Sequence, residues 1–350
     1  MGDAGPLTPP LTAEEPLIGA AGAGHETDVR EVTVLVTGFG PFKSFAINPS
    51  YLIASALPAT LASQPPPSKP VATNNDTNIP VPPTSAYRIR LISHPTAIRV
   101  AYATVVTILP TLTAQHTPDY IFHIGMAGGR DHYTLETVAH RDNYKIKDVD
   151  ERDGWKDGEY AWKKAGLPSA LHVGWDEADV CERWEREVRE REEELGLLDP
   201  HAEPAPQGSR GAEAVSAAAA AATPRYGEWG REVRRRLRSV CRLSTDAGRF
   251  LCEFTLFESL GRRWLEARGK LDKQGEEQEN RENKEGKVAF LHVPGAFGPE
   301  DVERGVRVAT AAIRSLVGSW EEGRRRKYEQ EAMLEGKMEG GKWDGVVWRA

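Results

Sequence analysis

The stretch "VTGFGPF", Val36–Phe42, follows the apolar run "VTVL" and closes it with a glycine turn. A Gly-rich turn straight after a buried strand is where dinucleotide enzymes cradle a phosphate. The third glycine of G-x-G-x-x-G is missing here, because Lys43 stands in its place, and Pro41 interrupts the turn. Phe39 and Phe42 also flank the turn where a phosphate would need bare N–H groups. The loop is therefore expected to hold something flat and apolar at the end of a strand.

Outward from this turn the chain alternates between strands and helices. "EVTVLVTG", "YRIRLIS", "DYIFHIGMAGG" and "KVAFLHVP" read as strands. Asn48 is a helix cap with Pro49 at the first helical position, and Ile53, Ala54 and Leu57 then share one face. "AIRVAYATVVTILPTLTAQ" predicts a helix interrupted near Pro110. "ADVCERWEREVREREEEL" predicts a surface helix with a stripe of Val180, Trp184, Val188 and Leu195. "FLCEFTLFESLGRRWL" is apolar nearly all round and predicts a buried helix. A last helix carries Val302, Val306, Ala309, Ile313 and Leu316 on one face. This order predicts a single three-layer α/β/α domain with a mostly parallel twisted sheet.

That domain is expected over 30–320. Residues 1–29 read as a disordered extension, 61–84 and 199–229 as Pro- or Ala-rich insertions, 269–286 as a solvated polar excursion and 321–350 as a charged tail. A net charge of -7 argues against a dedicated nucleic-acid binder. No apolar run reaches membrane-spanning length, and the acidic N-terminus fits neither a secretory nor a transit peptide. Cys181, Cys241 and Cys252 are too irregularly spaced for a disulfide framework or a zinc site, which points to a reduced, cytosolic compartment.

Ligand sites in open α/β sheets lie at the carboxyl ends of the strands. That rule selects the turn at 38–42, "HIGMAGGR" at 123–130 and "FLHVP" at 290–294; "STDAGRFLCEF" at 244–254 joins them. In the last stretch the chain turns at Ala247-Gly248 and starts a helix with Cys252 in its first turns. A helix N-terminus favours a thiolate and offers free N–H donors to an oxyanion. A free cysteine in an apolar helix is equally read as a packed small hydrophobe. A nucleophilic thiol needs a base, and His123 and His292, both near strand ends, have equal claims. Glu136, Asp246 and Glu253 are the candidate carboxylates. The chain contains no G-x-S-x-G elbow, H-E-x-x-H, C-x-x-C or phosphate loop. The basic cluster at 231–238 reads as a solvated helix face.

Taken in order, "VLVTGFGPF" with "NPS", "IFHIGMAGGRDHYTLETVAH", "STDAGRFLCEFTLFESL" and "VAFLHVP" resemble the type I pyroglutamyl peptidases, the pyrrolidone-carboxylate peptidases, over about two thirds of the chain. The "DAGRFLC-acid-F" form looks like the animal and fungal branch. The resemblance implies a cysteine omega-peptidase without metal or cofactor, acting on small peptides with an N-terminal pyroglutamate. It places the nucleophile on Cys252, the base on His292 and the acid on Glu136, and leaves Asp246 a role in the turn. It makes Phe39 and Phe42 walls for the lactam ring, with Asn48 and the backbone at Met126 as further substrate contacts. The family's bacterial members carry Asn after the cysteine, where Glu253 stands, and an arginine downstream of the acid, for which Lys145 is the nearest counterpart as an oxyanion contributor. The alternatives are an idle relative used as a binding scaffold and a hydrolase of another N-terminal cap. Oligomeric state is not legible.

Overall fold

The computed structural model describes residues 30–63, 87–195, 240–271 and 278–334. The first strand, β1 (Arg30–Gly38), buries Val32, Val34, Leu35 and Val36 completely or nearly so. Both faces of its second half are covered, which is why Val34, Leu35 and Val36 are apolar in succession without alternation. On either side lie β3 (Tyr87–Ser93) and β4 (Tyr120–Met126), both parallel to it. The remaining members of the main sheet are β2 (Thr60–Ala62), β5 (Tyr133–Glu136), β8 (Cys241–Ser244) and β9 (Val288–Val293). Their order is β2-β3-β1-β4-β9-β5-β8. Only the β2–β3 and β5–β9 pairs of this sheet are antiparallel, so it is mostly parallel. A small antiparallel pair, β6 (Val138–His140) and β7 (Ala170–His172), stands apart.

Helices cover both faces and complete three layers. On one face, α1 (Pro49–Ala56), α4 (Glu177–Glu194) and the long α7 (Pro299–Leu334) pack on Val34, Phe122, Leu135 and Leu291. Trp184 of α4 is fully buried there, and its indole N–H donates to Val308 O at 3.0 Å. On the other face, α2 (Tyr102–His116) and α5 (Leu251–Ala267) pack on Ile121, Val288 and Phe290. A short π-helical turn (Trp155–Glu159) runs into α3 (Tyr160–Lys164), and α6 (Gln278–Asn283) precedes β9. No helix among the described residues is long and apolar enough to cross a membrane.

Several elements differ from the sequence expectation. Helix α2 passes through Pro110 without a break. Its buried residues Val105, Leu109 and Leu112 hold both halves to the core, and that packing outweighs the hydrogen bond that proline cannot donate. The expected insertion at 61–84 begins inside the sheet, since Leu61 is a buried residue of β2; residues 64–84 lie outside the described set, as do 1–29 and 199–229. The expected excursion at 269–286 ends in packed structure. Lys284 is buried and donates to Thr117 O at 3.2 Å, and Gly286, at φ 74°, lies where a Cβ would meet Gly174 Cα at 2.5 Å. Residue 320 is not an element end, because α7 runs on to Leu334, with Glu321 bonded to Arg30 at 2.5 Å and Glu322 to Arg183 at 2.6 Å. Leu195 ends α4 exposed; below it Glu192 is buried against Arg304.

Candidate active site

β1, β4 and β9 run parallel, and their carboxyl ends converge on one edge of the sheet. Their register sets the site. Gly38 pairs with Ile124, Gly125 with His292, and Thr134 of antiparallel β5 with the same His292. Glu136 follows two residues later on β5 and therefore faces the same side as Thr134. Its carboxylate Oε1 lies 2.7 Å from His292 Nδ1. Both side chains are buried, Glu136 completely.

Cys252 is brought to this pair by the start of α5. The preceding turn needs two left-handed residues, Gly248 at φ 94° and Arg249 at φ 47°. Asp246 Oδ1 accepts from Gly248 N at 3.0 Å, so that carboxylate shapes the turn. Glu253, fully buried, accepts from Arg249 N at 2.7 Å, from the Arg249 guanidinium at 2.6 Å and from His140 N at 3.0 Å. It braces the strained turn and does not meet His292. The Cys252 sulfur sits over Gly125, where a Cβ would lie 3.2 Å from Sγ and 2.4 Å from the Phe290 ring. Glycine is needed there for the thiol to settle onto the sheet beside His292. Cys252 is half-buried, the least buried residue of the trio.

Charges follow from this packing. Burial opposes a charged imidazole at His292, but the Cys252 sulfur and then Glu136, each by charge and hydrogen bond, override it and push the group up to about 9. His123 is the opposite case. Thr37 Oγ1 lies 2.7 Å from its Nδ1 and Ser259 Oγ 2.9 Å from its Nε2, and complete burial pushes it down to about 3. It is a neutral core histidine. Burial and Glu185 push the Cys181 thiol up to about 11, and burial first of all holds Cys241 well above the ordinary thiol range.

The opening loop is divided in its roles. Phe39 is buried beneath the loop, 6.3 Å from the Phe290 ring. Phe42 is half-buried and lies 4.9 Å from the ring of Phe250, two residues before Cys252. Asn48 caps α1 through Ser50 N at 3.1 Å and ties the loop down by donating to Gly40 O at 2.9 Å. Its side chain is thus occupied by structure. Met126 ends β4, and the next N–H, of Ala127, donates to Val293 O at 2.9 Å. Lys145 is exposed and lines a surface cavity of about 570 Å³ with Asp142, Asp153, Trp155 and Glu159; none of the trio lines it. Among the described residues no cluster of histidine, cysteine and carboxylate side chains is placed to hold a metal ion.

Two participants escaped the sequence reading, and a third has another role than the one expected. Arg130 donates to the same Glu136 Oε1 at 2.7 Å. Phe250 pairs with Phe42. Glu253, weighed as a partner for the base and as the counterpart of the family's Asn, serves the turn by accepting from Arg249 N.

Over 290 residues the chain is 23% identical to pyroglutamyl-peptidase 1 of Rattus norvegicus, a span covering 83% of this chain and 91% of that protein. The likeness is to the pyroglutamyl peptidases. No family model matches the chain. Among solved structures, the pyrrolidone carboxyl peptidase from Thermococcus litoralis aligns at 13% identity and a TM-score of 0.47 over 83% of this chain and 96% of that one. The pyrrolidone carboxyl peptidase from Pyrococcus furiosus aligns at 16% identity and a TM-score of 0.46 over 83% and 100%.

Proposed function

We propose that the protein is a cysteine peptidase that hydrolyses the bond after an N-terminal pyroglutamyl residue. The observation carrying this reading is the buried His292–Glu136 pair at 2.7 Å with the half-buried Cys252 sulfur beside it. The likeness to the rat pyroglutamyl-peptidase supplies the substrate class.

Cys252, as thiolate, attacks the pyroglutamyl carbonyl carbon, and the carbonyl oxygen takes the negative charge. The N–H groups of Cys252 and Glu253 precede the first helical bond of α5, Phe254 N to Phe250 O at 2.9 Å, and are the donors for that oxyanion. His292 then gives its proton to the departing amine, leaving a thioester on Cys252. A water, deprotonated by His292, hydrolyses the thioester and releases pyroglutamate. Glu136 holds the imidazole with Nε2 toward the sulfur throughout.

Phe42 and Phe250 form the apolar wall for the lactam ring, with Phe39 supporting the loop from below. Backbone at Met126 meets the polar edge of the ring, and Asn48 acts by fixing the loop. Lys145, exposed on the cavity rim, is assigned no part in the oxyanion site. Three unpaired cysteines, the thiol nucleophile among them, suit a reducing compartment such as the cytosol.

Rapid quenching of the protein with a pyroglutamyl ester, followed by peptide mass spectrometry, tests the covalent step. The expected result is a pyroglutamyl adduct on the peptide bearing Cys252. An adduct on another residue, or steady hydrolysis by Cys252→Ala, would overturn the mechanism.

A further inference from the structure

Glu136 accepts from both its donors through one oxygen. His292 Nδ1 and Arg130 Nη1 each lie 2.7 Å from Oε1, whereas Oε2 is buried without a hydrogen-bond partner among the described residues. A buried carboxylate with one bare oxygen is costly, and a cation at hydrogen-bond distance offsets that cost. The second arm of Arg130 donates to Asp246 O at 3.2 Å, in the turn that leads to Cys252. One guanidinium therefore spans the acid on β5 and the turn before the nucleophile.

We infer that Arg130 is a positioning residue for the Cys252–His292–Glu136 trio. It holds Glu136 with Oε1 toward His292, and it ties the nucleophile's turn to the acid. The inference rests on the functional reading above for the identity of the trio. The charged groups facing the trio are Cys252 from α5, His292 from β9, Glu136 from β5 and Arg130 from the loop after β4. Tyr102 of α2 also faces Cys252, and Glu253, the next residue on α5, is paired with Arg249. His123, on β4, is neutral. Arg130 is thus the fixed cation of the cluster, and its removal takes a positive charge from beside the Glu136 carboxylate.

The test compares wild type with Arg130→Met, Arg130→Lys, Glu136→Gln and the double variant Arg130→Met/Glu136→Gln. Arg130→Met is expected to lower kcat by about 10–100-fold, as a slight misplacement of catalytic groups does, with KM changed less than threefold. The acid limb of its kcat/KM profile moves to higher pH, and Arg130→Lys, which keeps the charge, holds the limb near its wild-type position. In the Glu136→Gln background the same substitution should cost little, because the arginine acts through that carboxylate. Equal losses in both backgrounds, or an unmoved acid limb, would overturn the inference. If Arg130→Met does not fold, Arg130→Gln takes its place under the same criteria. A second readout needs no substrate. The rate of Cys252 alkylation by iodoacetamide at neutral pH should fall in Arg130→Met, and an unchanged rate contradicts the inference even if pyroglutamyl amides prove not to be substrates.

Discussion

The three cysteines differ in what surrounds each sulfur. Cys252 stands at a helix start against an imidazole that its sulfur and Glu136 hold protonated, whereas Cys181 and Cys241 are pushed up by burial and by acidic neighbours. Cys252→Ala is therefore expected to abolish turnover, and Cys181→Ala and Cys241→Ala to leave it largely intact. Iodoacetamide at neutral pH should label Cys252 first, as tryptic mapping would show; faster labelling of Cys181 with parallel loss of activity contradicts the assignment. The histidines separate on the same grounds. His292→Ala should lose several orders of magnitude in kcat. His123→Ala instead leaves Thr37 and Ser259 unpaired in the core and should cost about 1–3 kcal/mol of stability, read by urea unfolding, with activity falling only as fold is lost. For pH, the His292 imidazole is raised above its ordinary value, so the protonated form that serves the leaving amine is present through neutrality. It is lost as pH rises through about 9, and kcat/KM should fall on an alkaline limb there. An alkaline limb centred near neutrality contradicts this. From sequence the two histidines were equal, since each lies near the end of a buried strand. The register that sets His292 beside Gly125 and Thr134, and the two hydroxyls that close off His123, are long-range facts with no local pattern.

At the scale of elements, the loop after β1 and the start of α5 carry specificity and chemistry. Phe42→Ala is expected to lower kcat/KM for pyroglutamyl amides by tens to hundreds-fold with little change in Tm, because its ring is a half-buried wall against Phe250. Phe39→Ala should behave otherwise. Its buried ring supports the loop, and truncation should cost about 3–5 kcal/mol of stability, with catalysis lost in step. If Phe39→Ala keeps its Tm and loses only specificity, the roles are reversed. Gly125→Ala would press a methyl into the Phe290 ring and the Cys252 sulfur, so activity should collapse even where the protein folds. The long elements were legible: β1, β4, β9 and α5 are apolar runs bounded by glycine turns. The short ones were not. β5 is four residues long and carries the acid, yet "YTLE" is too brief for periodicity to identify. Pro110 misled for a related reason, since local propensity says nothing of the buried face that carries α2 through it.

Across the whole molecule, the site exists because of strand order. β5 follows β4 in sequence but lies beyond β9 and runs antiparallel to it, and that reversal is what turns Glu136 toward His292. Alternation of strands and helices implied three layers and a mostly parallel sheet; it carried no information on which strand would be reversed. The same order leaves the carboxyl ends of β1, β4 and β9 at one edge, where the aromatic loop, the nucleophile's turn and the acid–base pair meet. The central claim is that this edge hydrolyses pyroglutamyl bonds. The most direct measurement is turnover of pyroglutamyl, prolyl and alanyl amides of a single fluorophore by purified protein, with Cys252→Ala in parallel. The account predicts strong release from the pyroglutamyl amide, little from the other two, and none by the variant; release from all three alike, or from none, would contradict it.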